Sequence, residues 1–397
     1  MKSRKLSRKR RRVTIATAAA ASVVAGAALL PNWSAGAAVV DDPTVDAATK
    51  ATFQKLADAV FTDRTNALVD DGKGDRRHGR HPLTSGFSGK VRMSGTQSRH
   101  EDSALSELRS RKSRLQKLGE RYSAATTSVT LNATRVKGRN AKVDVTETTT
   151  LTYEKVKGTE PKNTGFQAHH ELTFKADRQG NWQLTGIRDT DDGYLAVNQP
   201  AEPPAATPPQ TGDDDSPPDA TRSATTQPAP ADPKNFSASG YDYKAMAAYA
   251  QKYWNNYNAE YPDFSGHGAG GDCTNFVSQA LKAGGWAHVP GYTYDWHKWF
   301  GNSELQSDSF VGVNEFSWFA LSSKRVTSLA NVYQMDVGDV LQMDFDKDGS
   351  KDHSMIVTSR SAQGVPYLTY HSTNTYNRSV ASIIASYPTA AYYAYRT

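Results

Sequence analysis

The chain has 397 residues, of which 37% are hydrophobic and 22% charged, with a formal net charge of +6 and one cysteine. Residues 1–37 hold eight Lys and Arg and no acid, so the remainder carries about −2, and the basic surface that nucleic acid would need is absent from it. A lone cysteine, Cys273, likewise excludes an intrachain disulfide framework.

The first 37 residues read as an export signal. A basic run from Lys2 to Arg12 precedes an uncharged run from Val13 to Leu30 and a small-residue exit at Ala35-Gly36-Ala37. Arg10-Arg11-Arg12 leaves both the Sec and the twin-arginine routes open. No later run approaches eighteen apolar residues, so the expected product is secreted, extracellular or wall-associated, without a transmembrane anchor.

Residues 38–199 are expected to form an α+β domain. Phe53, Leu56, Val60 and Phe61 share one helix face, and Leu105, Leu108, Leu115 and Leu118 mark a second helix. Val/Thr-rich alternation over 126–136, 141–156, 166–176 and 182–187 then predicts an antiparallel meander, with turns at Lys137-Gly138-Arg139-Asn140 and Asp177-Arg178-Gln179-Gly180. Adjacent strand residues His169 and His170 face opposite ways and make no metal pair. No residue pattern assigns this domain a function.

Residues 200–238 form the expected linker. Pro200 to Pro233 contains ten of the eighteen prolines and no Val, Ile, Leu, Met, Phe, Trp or Tyr, so it cannot build a core of its own. It separates the first domain from a second over 239–397.

An amphipathic helix over 241–256 opens that second domain, followed by the glycine-rich stretch Gly266 to Gly271 and then Asp272-Cys273. Positions 273, 276, 277, 280 and 281 share one face of the next helix, with Asp272 as N-cap and Gly284-Gly285 as the stop. First-turn N–H groups and the helix dipole favour a thiolate at Cys273, and the Cys273 backbone N–H can join an oxyanion hole. A packed, inert thiol explains the apolar spacing equally well but leaves Gly-Gly-Asp without a role.

A base is expected at His353, where an acidic turn hands over to a strand over 353–358. The return strand runs from Val365 to His371. If Gly364 takes the left-handed position of a three-residue loop, Ser361 pairs with Val365, His353 faces Thr373, and His371 lies one diagonal step away as the orienting residue. A two-residue loop would turn His371 away and make Asn374 the candidate.

The segments G-G-D-C-T-N-F-V-S-Q at 270–279, V-G-D-V at 337–340 and D-H-S-M-I-V-T at 352–358 resemble the putative amidase domain family, itself similar to the papain-like NlpC/P60 and CHAP groups. The resemblance implies a papain-like α+β domain, a Cys-bearing helix on an antiparallel sheet, with Cys273 and His353 catalytic and a His or Asn third. It also implies peptidoglycan or a wall peptide as substrate.

Asp344, Asp346, Asp348, Ser350 and Asp352 follow the start of a calcium loop, but Met355 stands where its last ligand, a glutamate, is expected. An ordinary acidic hairpin turn is the competing reading, and no cofactor is required by the chemistry. Five of seven tryptophans lie between 254 and 318, as core for most and as cleft lining for one or two. The expected activity is amide hydrolysis through a thioester; a non-catalytic wall-binding module and an acyltransferase using the same cysteine are the alternatives.

Overall fold

The computed structural model describes residues 45–69, 92–191, 196–200, 217–227, 229, 232–265 and 271–397. The expected export signal and Gly266 to Gly270 lie outside these residues. Helix α1 (Ala47–Asn66) starts where the Asp46 carboxylate accepts the Thr49 N–H at 2.8 Å, and buries Phe53, Leu56, Val60 and Phe61. A short β1 (Arg92–Met93) leads into α2 (Gly95–Lys117), capped by Ser94. The meander follows as β2 (Tyr122–Lys137), β3 (Asn140–Tyr153), β4 (Asn163–Ala176) and β5 (Trp182–Asp189). Its inward residues Val129, Val143, Val145, Leu172 and Phe174 pack against α1.

The second half runs through α3 (Tyr243–Tyr253), α4 (Cys273–Ala283), α5 (Asp308–Val311), α6 (Val313–Ser322), β6 (Thr327–Leu329), β7 (Val340–Asp344), β8 (His353–Arg360), β9 (Pro366–Tyr370), β10 (Thr375–Ser379), α7 (Val380–Ser386) and β11 (Ala391–Arg396). Its strands lie in the order β10-β9-β8-β7-β11-β6, all antiparallel. One face of this sheet, through Val340, Ile356, Tyr393 and Tyr395, packs against Phe276, Val277, Ala280 and Leu281 of α4. The other face, through Leu341, Met343, Met355, Val357 and Tyr370, packs against Val380 and Ile383 of α7. Fully burying side chains of this size stabilises the fold by roughly 1.5–3 kcal/mol each.

The fold is α+β with a large, almost wholly antiparallel sheet, but its first part is not separate. Among the described residues the sheet has eleven strands and runs through both halves. One edge of β4 is divided: Gly165 and Phe166 pair with Tyr376 and Thr375 of β10, while His170 to Ala176 pair with β5. An exposed β10 edge would otherwise present unpaired backbone groups. Gly165 permits the join, because a Cβ there would lie 2.5 Å from Cε1 of Tyr376. A shared core reinforces it, with Tyr122, Leu151, Tyr153 and Phe166 packed on Tyr367, Ala381 and Ala385.

The described part of the expected linker is also docked. Ser223 N–H donates to Tyr392 O at 2.7 Å, and Ala224 bridges to Asn331. Further on, Lys234 Nζ donates to Asp339 Oδ1 at 2.7 Å and Val337 O at 2.8 Å. The segment has too few large apolar side chains for a core of its own, yet its backbone and the side chains of Ser223, Arg222, Ala229 and Lys234 find partners on the second half.

Candidate active site

Gly271, at φ +81°, turns the chain into α4, and Cys273 is that helix's first residue. Every residue from Cys273 to Leu281 is buried, not only the apolar face. The polar members have partners, as buried polar groups require. Thr274 Oγ1 meets Ser354 Oγ at 2.9 Å, Asn275 Nδ2 donates to Asp272 Oδ1 at 2.7 Å, and Gln279 Oε1 accepts Tyr249 OH at 2.7 Å.

Cys273 is 1% exposed. Burial pushes the Cys273 thiol above its ordinary range, and hydrogen bonds from the Ser354 backbone and Thr274 only partly oppose this. The expected bias toward thiolate is therefore outweighed. A helix terminus contributes about 0.3–1 kcal/mol when exposed, too little to offset desolvation of a fully enclosed thiolate.

Asp272 differs from its expected role, because its side chain makes no cap bond to α4. Its Oδ2 instead accepts His371 Nδ1 at 2.6 Å, while Oδ1 accepts Asn275 Nδ2 and Phe264 N–H. His371 Nε2 lies 2.8 Å from Tyr253 O, at the end of α3. The ring lies between Tyr257 and Phe276, with centroids 4.1 and 4.0 Å away. Just beyond it, Ser372 and Thr373 take left-handed φ values of 64° and 59°.

The structure does not bring His353 and His371 together. The hairpin loop has the expected form: Ser361 N–H donates to Val365 O at 2.8 Å and Gly364 has φ +84°. A β-bulge at Thr358 then shifts the register, since Val357 pairs with Leu368 but Ser359 with Tyr367. The extra residue reverses every alternation beyond it. His371 consequently shares the α4 face with Ser354 and Ile356. His353 pairs with Met343 on the α7 face, its ring edge-on to Tyr370 at 5.1 Å. Burial, then the charge of Arg378, lowers the His353 imidazole to about 3, so it is neutral. Asn374 does not replace His371 beside His353; its Oδ1 accepts Tyr257 OH at 3.0 Å, on the His371 side.

Of the five loop residues, Asp344, Asp346 and Asp348 offer carboxylate oxygens within 4.8 Å of one another. Asp344 already accepts the Lys347 and Gly349 N–H groups, Asp352 accepts Phe345 N–H, and Ser350 Oγ accepts Asn314 Nδ2. These bonds suit an ordinary acidic turn, and the three clustered carboxylates keep oxygens close enough together to hold a cation. Among the aromatics, Trp286 and Trp299 are core, whereas Tyr292 and Tyr294 are exposed.

Sequence reasoning missed the Asp272–His371 pair and the stacking ring of Tyr257. An acid directly before the cysteine is the signal that could have flagged the first. Burial pushes the Tyr257 hydroxyl up, and the nearby charges of Asp272, Asp263 and Asp191 add to it. Among the described residues no helix is long and apolar enough to cross a membrane.

Residues 240–395 match the family model described as "Putative amidase domain", which supports an amidase-type function in general terms. The chain is 31% identical over 129 residues to the uncharacterized protein YhbB of Bacillus subtilis (strain 168), covering 32% of this chain and 40% of that protein. It is 33% identical over 151 residues to the uncharacterized protein YjcM of the same organism, covering 36% and 33%. The chain thus spans less than half the length of these curated relatives. No solved structure matches it significantly.

Proposed function

We propose that residues 239–397 act as a secreted, papain-like cysteine amidase or peptidase on amide bonds of wall peptides, with Cys273 as nucleophile. The observation that carries this reading is the placement of Cys273 at the start of α4, with the adjacent Asp272 paired to His371 on the same face of the sheet. Cys273 Sγ attacks the amide carbonyl, and the oxyanion is met by the Cys273 N–H, which has no intrahelical acceptor. With its one proton on Nδ1 toward Asp272, the neutral His371 ring takes the thiol proton at Nε2 once that nitrogen turns from Tyr253 O to the thiol. It returns the proton to the leaving amine, and water clears the thioester. His353, the base expected from the sequence, serves instead as a neutral core residue. The enclosed thiol favours a competing reading, a non-catalytic wall-binding module.

Digestion of purified peptidoglycan with the mature chain, read by mass spectrometry for new amino termini or freed glycan, separates the two. Cys273→Ala should abolish release, and His371→Ala should lower turnover by roughly 10²–10⁴. Release undiminished in Cys273→Ala, or none from the parent chain, overturns the amidase reading. Loss in His353→Ala but not in His371→Ala overturns the choice of base.

A further inference from the structure

The sheet join carries a second set of polar groups to the candidate site. Gln167 N–H donates to Asn374 O at 2.8 Å, and Asn374 Oδ1 accepts Tyr257 OH, whose ring covers His371. Gly165, Gln167 and His169 lie on one face of β4, alternating with the buried Phe166, Ala168 and His170. The Tyr376 ring crosses Gly165 on that face and packs at a tilt of 48° on Trp254, with centroids 4.6 Å apart. His169 lies two residues beyond Gln167, one pleat repeat of about 7 Å. Its Nδ1 is 2.7 Å from Asp191 Oδ1, and Asp191 Oδ2 accepts the His169 N–H at 2.8 Å. Asp191 therefore fixes the tautomer and the ring, and leaves Nε2 for a ligand.

His169 has 36% of its side chain exposed, and Gln167, Trp254, Tyr257 and Tyr376 are half-buried. The neighbouring His170 has a different fate: Glu147 and Asp189 bind its two ring nitrogens in the core. One histidine is thus enclosed and the other is presented beside the site.

We infer that the first half of the chain supplies a substrate subsite, in which His169 and Gln167 hydrogen-bond the peptide segment flanking the scissile amide while Trp254 and Tyr376 pack against it. This rests on the amidase reading for the identity of the site, though not for the binding itself. Asp191 acts as a positioning residue.

The test uses the full mature chain and a soluble muropeptide mixture freed from peptidoglycan by a muramidase. In the Cys273→Ala background, binding followed by tryptophan fluorescence should weaken about tenfold on His169→Ala and also on Gln167→Ala. In the otherwise native chain, the same substitutions should raise KM about tenfold and leave kcat unchanged. Asp191→Asn should give a smaller KM rise and alter the pH profile of KM, which a purely structural residue would not do. Unchanged binding and KM in both the His169 and Gln167 variants, with unfolding midpoints like the parent's, overturns the subsite. So does a complete absence of muropeptide binding. Should Cys273→Ala still release product while His169→Ala weakens binding, the nucleophile is wrong and the subsite stands.

Discussion

His353 and His371 show how the face a histidine occupies sets its surroundings. A histidine held neutral at about 3 in the fold, against an ordinary value of 6.5, makes the fold acid-sensitive. The sign follows from linkage: below about 6.5 the unfolded chain takes up a proton that the folded chain refuses. Stability is then lost progressively as pH falls from 6.5 toward 3. We expect His353→Phe to flatten this loss, with thermal unfolding midpoints compared at pH 7.5 and pH 5. An acid slope as steep as the parent's would show that His353 is not the neutral core residue described. Cys273 was legible because a lone thiol, an acid and glycines at a helix start have few bland explanations together. His371 was legible as a residue but not in its partner, because Asp272 reads from sequence as a cap, a role any Asp at a helix start can fill.

At the scale of elements, the helices, the meander and the three-residue hairpin loop followed from periodicity and turn chemistry. The bulge did not. Thr358 is as ordinary a strand residue as its neighbours, and what marks it is the tertiary bonding of its hydroxyl, to Thr369 Oγ1 at 2.9 Å and to Tyr367 O and Asn377 Oδ1. One unread residue was enough to exchange the face that His371 occupies. The link from Asp272 to His371 also ties α4 to the end of β9, and its strength separates the two roles for Asp272. Loss of a cap costs about 1 kcal/mol, whereas removing the Asp272 carboxylate leaves buried donors on His371 and Asn275 unpaired, at about 1–3 kcal/mol each. The Asp272 and His371 side chains are at most 2% exposed. Urea unfolding of Asp272→Ala should therefore give a loss in the higher range, and a loss near 1 kcal/mol would return Asp272 to capping.

For the whole molecule, composition divides the chain at the proline-rich segment, whereas hydrogen bonding and packing join it through β4 and β10. No propensity scale could reveal this, because the pairing is between strands some 200 residues apart in sequence and depends on one glycine. The seam has a titratable member. Glu120 is half-buried, and its Oε1 accepts Ser379 Oγ from the second half at 2.6 Å. Burial raises its carboxyl to about 7, against the ordinary 4.5, with the Ser379 bond opposing. A raised carboxyl favours the joined state below the ordinary value, and that contribution is lost as pH rises from 4.5 through 7. If a protease site is engineered between Pro200 and Pro217 and the chain is cut there, the two pieces should co-elute on sizing at pH 5. Their dissociation constant should rise between pH 4.5 and 7 and level off above. Glu120→Gln retains an acceptor for Ser379 without the charge, so it should remove that rise. Pieces that separate at both ends of this range would mean that the shared sheet does not hold the halves without the covalent link, and a pH slope unchanged in Glu120→Gln would assign the titration elsewhere in the seam.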